Sequence, residues 1–152
     1  MNVLITGGLG HIGSYVLKRI TALKIIRKIY VVDNLSNQRF NVLFKLKNKK
    51  IKFIYGDLSK KETIKIIPKA NITLHLASKT NAEESFVNKK EIIKNNLGAF
   101  KNIVDYCKKY SSKLIHISST SIYNPKKNFI TELEKPNPQS PYAEIKIKDF
   151  EI

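Results

Sequence analysis

A chain of 152 residues is long enough for one domain with a real core, and 42% hydrophobic content excludes an intrinsically disordered polymer. Lys and Arg outnumber Asp and Glu 28 to 12, giving a formal charge of +16, a balance that on its face suggests a polyanionic partner. The basic residues are mostly Lys, spread among many Ile and Asn with no Arg-rich tract, so a compositional bias accounts for them and no nucleic-acid partner is expected.

The first predicted strand runs from Asn2 to Thr6 and starts almost at Met1. No charged leader precedes a long apolar run, so the expectation is a true N-terminus and a cytoplasmic protein with no membrane span. The strand breaks into Gly7-Gly8-Leu9-Gly10-His11-Ile12-Gly13 and opens a helix whose inner face is expected at Ile12, Val16, Ile20 and Leu23. A second strand covers Ile29 to Asp33, followed by a helix over 37–46. A third strand spans Ile51 to Tyr55, closed by Gly56. A short helix over 60–67 stops at Pro68, and a fourth strand covers Ile72 to Leu76. The longest helix runs over 89–109, with Ile93, Leu97, Phe100, Val104 and Cys107 on one face. The single Cys107 excludes an internal disulfide and reads as a packed thiol in a reducing compartment. A fifth strand covers Lys113 to Ser118, a proline-bearing loop covers 124–141, and a last helix begins near Ser140. Strands alternating with helical periodicity predict βαβ units and a parallel sheet.

The glycine run lies between a strand and a helix, and that context raises it above a mere turn toward a nicotinamide dinucleotide loop. Gly7 makes the tight turn, Gly10 lets the backbone approach a pyrophosphate, and Gly13 permits close helix–strand packing. The helix start offers N–H groups and a positive dipole end to the phosphates. Asp33 ends the second strand about 20 residues on, where a carboxylate accepts from the adenosine ribose hydroxyls and repels a 2′-phosphate, favouring NAD over NADP. An ordinary Asp before a loop is the alternative there, and Arg39 nearby is the residue that speaks for a phosphate. Asp57, in Gly56-Asp57-Leu58, falls where the adenine edge would lie; an exposed loop Asp is the other reading. His75 reads as a satisfied core histidine with no catalytic role. Tyr142 and Lys146 are four apart, so a helix puts them on one face. A free phenol has a pKa near 10. One positive charge at about 4 Å, at an effective dielectric near 20, contributes roughly 4 kcal/mol, or about three pKa units, so Lys146 together with an oxidised nicotinamide can make Tyr142 a usable base. Ser118-Ser119-Thr120-Ser121 lies at the end of the fifth strand, the edge where open α/β sheets bind ligands, and a hydroxyl there could hold a substrate alkoxide. A strand exit capping its own turn is the alternative. No metal-ligand cluster and no Ser/His/Asp arrangement has usable spacing.

These residues in this order resemble the extended short-chain dehydrogenases/reductases, specifically the NAD-dependent epimerase/dehydratase group that acts on nucleotide sugars. The resemblance runs through Thr6 to Ser14, Val32 to Ser36, Gly56 to Leu58, His75 to Ala77, Ser118 to Tyr123 and Pro138 to Lys146. It implies a Rossmann-type doubly wound parallel sheet of strand order 3-2-1-4-5. It also implies Tyr142 as base, Lys146 as the residue that orients the nicotinamide ribose and lowers the Tyr pKa, and Ser119 as the third catalytic residue. Asn96 matches a structural asparagine of the group. The candidate cofactor-binding residues are Gly7, Gly10, His11, Ile12, Gly13, Asp33, Asn34, Asp57, Leu58, Leu76, Ala77 and Lys146.

Departures from the pattern carry information. His11 stands where Tyr or Phe is usual, Ala99-Phe100 replaces a Gly-Thr pair, and Ile145 takes a small-residue position. Dehydratases of the group carry an Asp-Glu pair where Thr120 and Ser121 stand here, which favours epimerase or simple oxidoreductase chemistry. Members continue well past the Tyr/Lys motif into a sugar-binding region, so residues 1–152 read as one NAD-binding domain of a longer enzyme. The expected partners are a nucleotide sugar, with a UDP-sugar favoured, and a homodimer mate or complementing C-terminal fragment. A non-catalytic NAD-binding sensor or scaffold is the alternative.

Overall fold

The computed structural model describes residues 1–37, 39, 41–45, 47–123 and 129–152. The strands are β1 (Asn2–Thr6), β2 (Lys28–Asp33), β3 (Ile51–Tyr55), β4 (Ile72–His75) and β5 (Lys113–His116). They form a parallel sheet in the order β3-β2-β1-β4-β5, the expected doubly wound arrangement. The helices are α1 (His11–Ile20), α2 (Asn41–Lys45), α3 (Lys61–Lys65), α4 (Ala82–Val87), α5 (Lys89–Tyr110) and α6 (Pro141–Lys148).

Period-two alternation in the central strands sends neighbouring side chains to opposite faces, so both faces must be covered. Leu4 and Val32 join Leu58, Ile67, Ile103 and Tyr106 in one core on the α3/α5 side. Ile5 and Val31 join Leu17, Ile26 and Ile29 in the other, on the α1 side. Across β1 and β2 the register sets Ile5 beside Val31 and Thr6 beside Val32, bringing the ends of both strands level at the carboxyl edge of the sheet.

Several helix faces differ from the expectation. On α1 the buried residues are Gly13 and Leu17; Val16 and Ile20 pack at the margin, and Ile12 and Leu23 are 58% and 50% exposed. The helix ends at Ile20, so Leu23 has left its face, while Ile12 sits at the helix start on the cavity side. On α5 Phe100 and Cys107 are inside as expected, but the stripe is Ile92, Asn96, Ala99, Ile103 and Tyr106, one position off from Ile93, Leu97 and Val104. The cause is that two polar residues belong to the inner face. Asn96 exchanges hydrogen bonds with the Lys79 backbone at 2.9 and 3.0 Å, and Asn102 donates to the Leu58 carbonyl at 2.8 Å. The helix expected over 37–46 is observed as Asn41–Lys45, with Gln38, Phe40 and Leu46 outside the described residues. Residues 124–128 of the expected loop also lie outside them. Helix α4 was not expected; Asn81 caps it by accepting from the Glu84 N–H at 3.1 Å. Ser140 caps α6 through the Ala143 N–H, with Pro141 opening the first turn.

Tyr106 ties α5 to the segment before β4: its hydroxyl donates to the Pro68 carbonyl at 2.7 Å and accepts from the Ala70 N–H at 2.9 Å. Tyr106→Phe strands both backbone groups, so urea denaturation should show a loss of about 1–3 kcal/mol. Burial pushes the Tyr106 phenol up to about 12 from 10.0. The unfolded phenol therefore ionises first, and stability falls as pH rises from about 10 toward 12. The Phe variant should lose this part of the alkaline slope.

Candidate dinucleotide site

The carboxyl ends of β1 and β4 diverge where the chain reverses its direction of winding, the place where open α/β sheets bind ligands. A cavity of about 920 Å³ opens there. Gly7, Gly10, His11, Ile12, Gly13, Asp33, Asn34, Asp57, Leu58, Leu76, Ala77, Tyr142 and Lys146 all line it. Ser119 is the one expected site residue outside that lining.

Gly7 adopts φ +64, open to glycine, and a Cβ there would lie 2.7 Å from the Ala77 backbone. Its N–H donates to the Val32 carbonyl at 2.8 Å, holding the turn against β2. Gly13 packs against the loop rather than a strand: its Cβ would lie 2.6 Å from both the Gly7 carbonyl oxygen and Gly8 Cα. Gly8 makes the close approach to the sheet, 2.6 Å from a Val31 methyl by the same measure. Gly10 precedes α1 without a side-chain cap, which leaves the first N–H groups of the helix for an anion.

Asp33 accepts from the Leu9 N–H at 3.1 Å through one oxygen and from the Leu35 N–H at 2.9 Å through the other. A carboxylate has about four acceptor positions, so capacity for ribose hydroxyls remains. Asn34 folds back on the Ser36 N–H at 3.1 Å, and Asp57 accepts from both the N–H and the hydroxyl of Ser59. Arg39 lies 2.5 Å from Nε2 of His11, closing the outer rim. A guanidinium only donates, so that nitrogen accepts and the proton sits on Nδ1.

Thr6 Oγ1 receives the N–H groups of Leu76 and Ala77 at 3.2 and 3.3 Å, so its own hydrogen turns to Nδ1 of His75, 2.7 Å away. Burial first, then the nearby His116 ring and Lys146 ammonium, push His75 down from 6.5 to about 3. It is a neutral support for the β1 and β4 ends.

Tyr142 and Lys146 sit one turn apart on α6, 8% and 5% exposed. The Ser85 hydroxyl of α4 accepts the Tyr142 N–H at 3.2 Å and thereby seats the start of α6. Ser119 caps its own turn by accepting the Ser121 N–H at 3.2 Å, as the capping reading expects. The phenol is nevertheless raised above its ordinary 10.0: burial pushes it up most, the Ser119 hydrogen bond opposes, and the Asp149 charge adds to the rise. The Lys146 ammonium is paired with Asp149 at 3.2 Å and also donates to the Ile117 carbonyl at 3.3 Å. Ser85, His116 and Asp149 were missed by sequence reasoning; the Asn81-x-x-Glu84 capping pattern was the one available sign of α4. No helix of the described residues is long and apolar enough to cross a membrane.

The family described as "NAD dependent epimerase/dehydratase family" matches residues 3–149. A UDP-glucose 4-epimerase of Yersinia enterocolitica is 30% identical over 168 aligned positions, covering 100% of this chain and 49% of that protein. A dTDP-D-glucose 4,6-dehydratase of Dictyostelium discoideum is 32% identical over 127, covering 80% of this chain and 29% of its own length. The solved UDP-Glc/GlcNAc 4-epimerase of Campylobacter jejuni superposes with a TM-score of 0.91 at 28% identity, covering 99% of this chain and 47% of the other. The chain thus spans about half the length, or less, of these relatives. With the motif residues gathered around one cavity at the switch point, and the match running through all of them, this chain belongs to the NAD-dependent epimerase/dehydratase family.

Proposed function

We propose that this chain supplies the NAD-holding and proton-transfer part of a nucleotide-sugar epimerase or related oxidoreductase, with a UDP-sugar as substrate. The observation that carries this reading is that Tyr142 and Lys146 line the same cavity as the glycine loop and Asp33. The cavity residues fit the dinucleotide: an uncapped helix start for the pyrophosphate, a carboxylate with spare acceptor capacity for the ribose, and a close Gly7–Ala77 approach that keeps side chains out of its path. NAD bound there supplies a hydride acceptor that can return the hydride.

The chain's own residues do the rest. His11 and Ile12 present N–H groups to the phosphates, Gly10, whose own N–H is held by the Gly7 carbonyl, keeps their path free of a side chain, and Asp33 accepts from the ribose hydroxyls while opposing a 2′-phosphate. Asn34, Asp57, Leu58, Leu76 and Ala77 shape the walls. Ser119 aligns the sugar hydroxyl, Tyr142 takes its proton, and Lys146 orients the nicotinamide ribose. Thr120 and Ser121 provide no carboxyl pair for eliminating water, which favours epimerisation over dehydration. The sugar site would be completed by the part of the relatives' length that this chain does not cover.

The test is calorimetric titration with NAD and NADP, and an assay of UDP-glucose/UDP-galactose interconversion with added NAD, alone and with the sequence that completes the relatives' length. NAD should bind more tightly than NADP. Asp33→Ala should weaken NAD about 10- to 100-fold, the scale of a lost charge-assisted hydrogen bond. Equal or tighter NADP binding by the unmodified chain would overturn the assignment.

A further inference from the structure

Lys146 is the cation the proposed reaction relies on, yet a second charge is built against it. The Asp149 oxygen that receives the Lys146 ammonium also lies 3.0 Å from Nε2 of His116 on β5. Lys146 and Asp149 are each 5% exposed. The other carboxylate oxygen, Oδ1, and Nδ1 of His116 are buried without a hydrogen-bond partner among the described residues. A buried ion pair is by itself weak ground for stability, so the trio invites a role beyond fastening the end of α6.

The surroundings are otherwise short of charge. From β4 the neutral His75 ring lies 5.7 Å from His116, and from α5 the Phe100 ring packs 4.2 Å from it. Of the titratable residues of α6 only Tyr142 and Lys146 are buried, beside the apolar Pro141, Ala143 and Ile145, while the α5–α6 ion pair of Lys89 and Glu144 is on the exposed side. Low polarity there makes the Asp149 charge count at Tyr142, and its sign opposes ionisation of the phenol.

We propose that Asp149 is a positioning residue for Lys146: with His116 against the same oxygen and the Ile117 carbonyl beside the ammonium, it fixes Lys146 at the end of β5 and sets how much positive charge reaches Tyr142. The inference rests on the proposed function only in giving Tyr142 and Lys146 a shared task. Lys146 then acts on the phenol to the extent that its charge is drawn off Asp149, and a ligand hydroxyl competing for the ammonium is one way to draw it off.

The experiment is a pH titration of the dinucleotide-free chain labelled with 13Cζ-tyrosine, the Tyr142 signal being identified by its loss in Tyr142→Phe. Asp149→Asn should lower the Tyr142 midpoint by about one unit or more, the direction expected on removing a like charge. Asp149→Glu, which keeps the charge, should restore the midpoint to within a few tenths of a unit. A residue with a structural role alone would lower the melting temperature in both variants and leave the midpoint unmoved, and that result overturns the proposal. Lys146→Gln tests it from the other side even where Asp149→Asn folds poorly. Without its ammonium, Asp149 is unscreened and the Tyr142 midpoint should rise; an unmoved midpoint is equally fatal. Calorimetry separates the two readings, since failure of the unmodified chain to bind NAD would sink the proposed function while leaving the titration result intact.

Discussion

Gly13→Val is expected to abolish NAD binding and to destabilise the fold, whereas Gly10→Val should abolish binding and leave the fold nearly intact. The contrast follows from what each new side chain meets. At Gly13 even the first carbon would sit 2.6 Å from the Gly7 carbonyl oxygen and from Gly8 Cα, and both neighbours are backbone held by β1 and by the Gly7–Val32 hydrogen bond. Neither can yield without opening the turn, so a loss at the upper end of the usual 1–3 kcal/mol of overpacking is expected, read as a shift in the urea midpoint. At Gly10 a Cβ meets only the Gly7 carbonyl oxygen, at 3.2 Å, and φ is an ordinary −65. Its branches extend into the cavity where the pyrophosphate would approach, so the loss appears in calorimetry and not in stability. NAD affinity retained by Gly10→Val would mean that this loop is not the phosphate site.

How far the fold was legible depends on what bounds each element. β1 and β3 have the limits expected from sequence because their apolar runs are cut off by Gly7-Gly8 and Gly56. β4 and β5 end one and two residues short of expectation, because apolar or small residues continue past the last ladder pair, His75 with His116. The face of α5 was misplaced because periodicity counts apolar residues, and Asn96 and Asn102 are inside for their hydrogen bonds to loops. Six-residue α4 is too short for periodicity to find; its role emerges only when Ser85 meets the Tyr142 N–H, 57 residues along the chain.

The site divides in the same way. Glycines at fixed offsets and a Tyr/Lys pair one helical turn apart are local patterns, and the cavity gathers them. The electrostatics are not local. Asp149 and His116 are 33 residues apart, and nothing in either neighbourhood marks them as partners. Sequence reasoning set Lys146 and an oxidised nicotinamide against the Tyr142 phenol and had no sign of Asp149, which the packed site pairs with Lys146 and whose charge raises the phenol of the dinucleotide-free chain.

That raised phenol decides the pH behaviour of the proposed reaction. Tyr142→Phe should lower kcat by about 10²–10⁴, the usual worth of a positioned general base, and leave NAD affinity within about threefold because the phenol's oxygen is what it removes. In the proposed reaction the active form is the tyrosinate, and burial, which raises the phenol above its ordinary 10.0, keeps that form scarce at neutral pH. The rate should therefore climb as pH rises from about 7 to 9, by up to tenfold per unit, and the residual rate of Tyr142→Phe should not. Unfolding does not confound the climb: a folded-state pKa raised above the unfolded 10 leaves stability untouched below about pH 10 and lowers it only beyond, where the unfolded phenol ionises first. Ser119→Ala removes the hydrogen bond that opposes the rise, so it should push the climb to higher pH as well as slow the reaction. A flat profile in the unmodified chain, or a Phe variant equally active across the range, would assign the proton to another group.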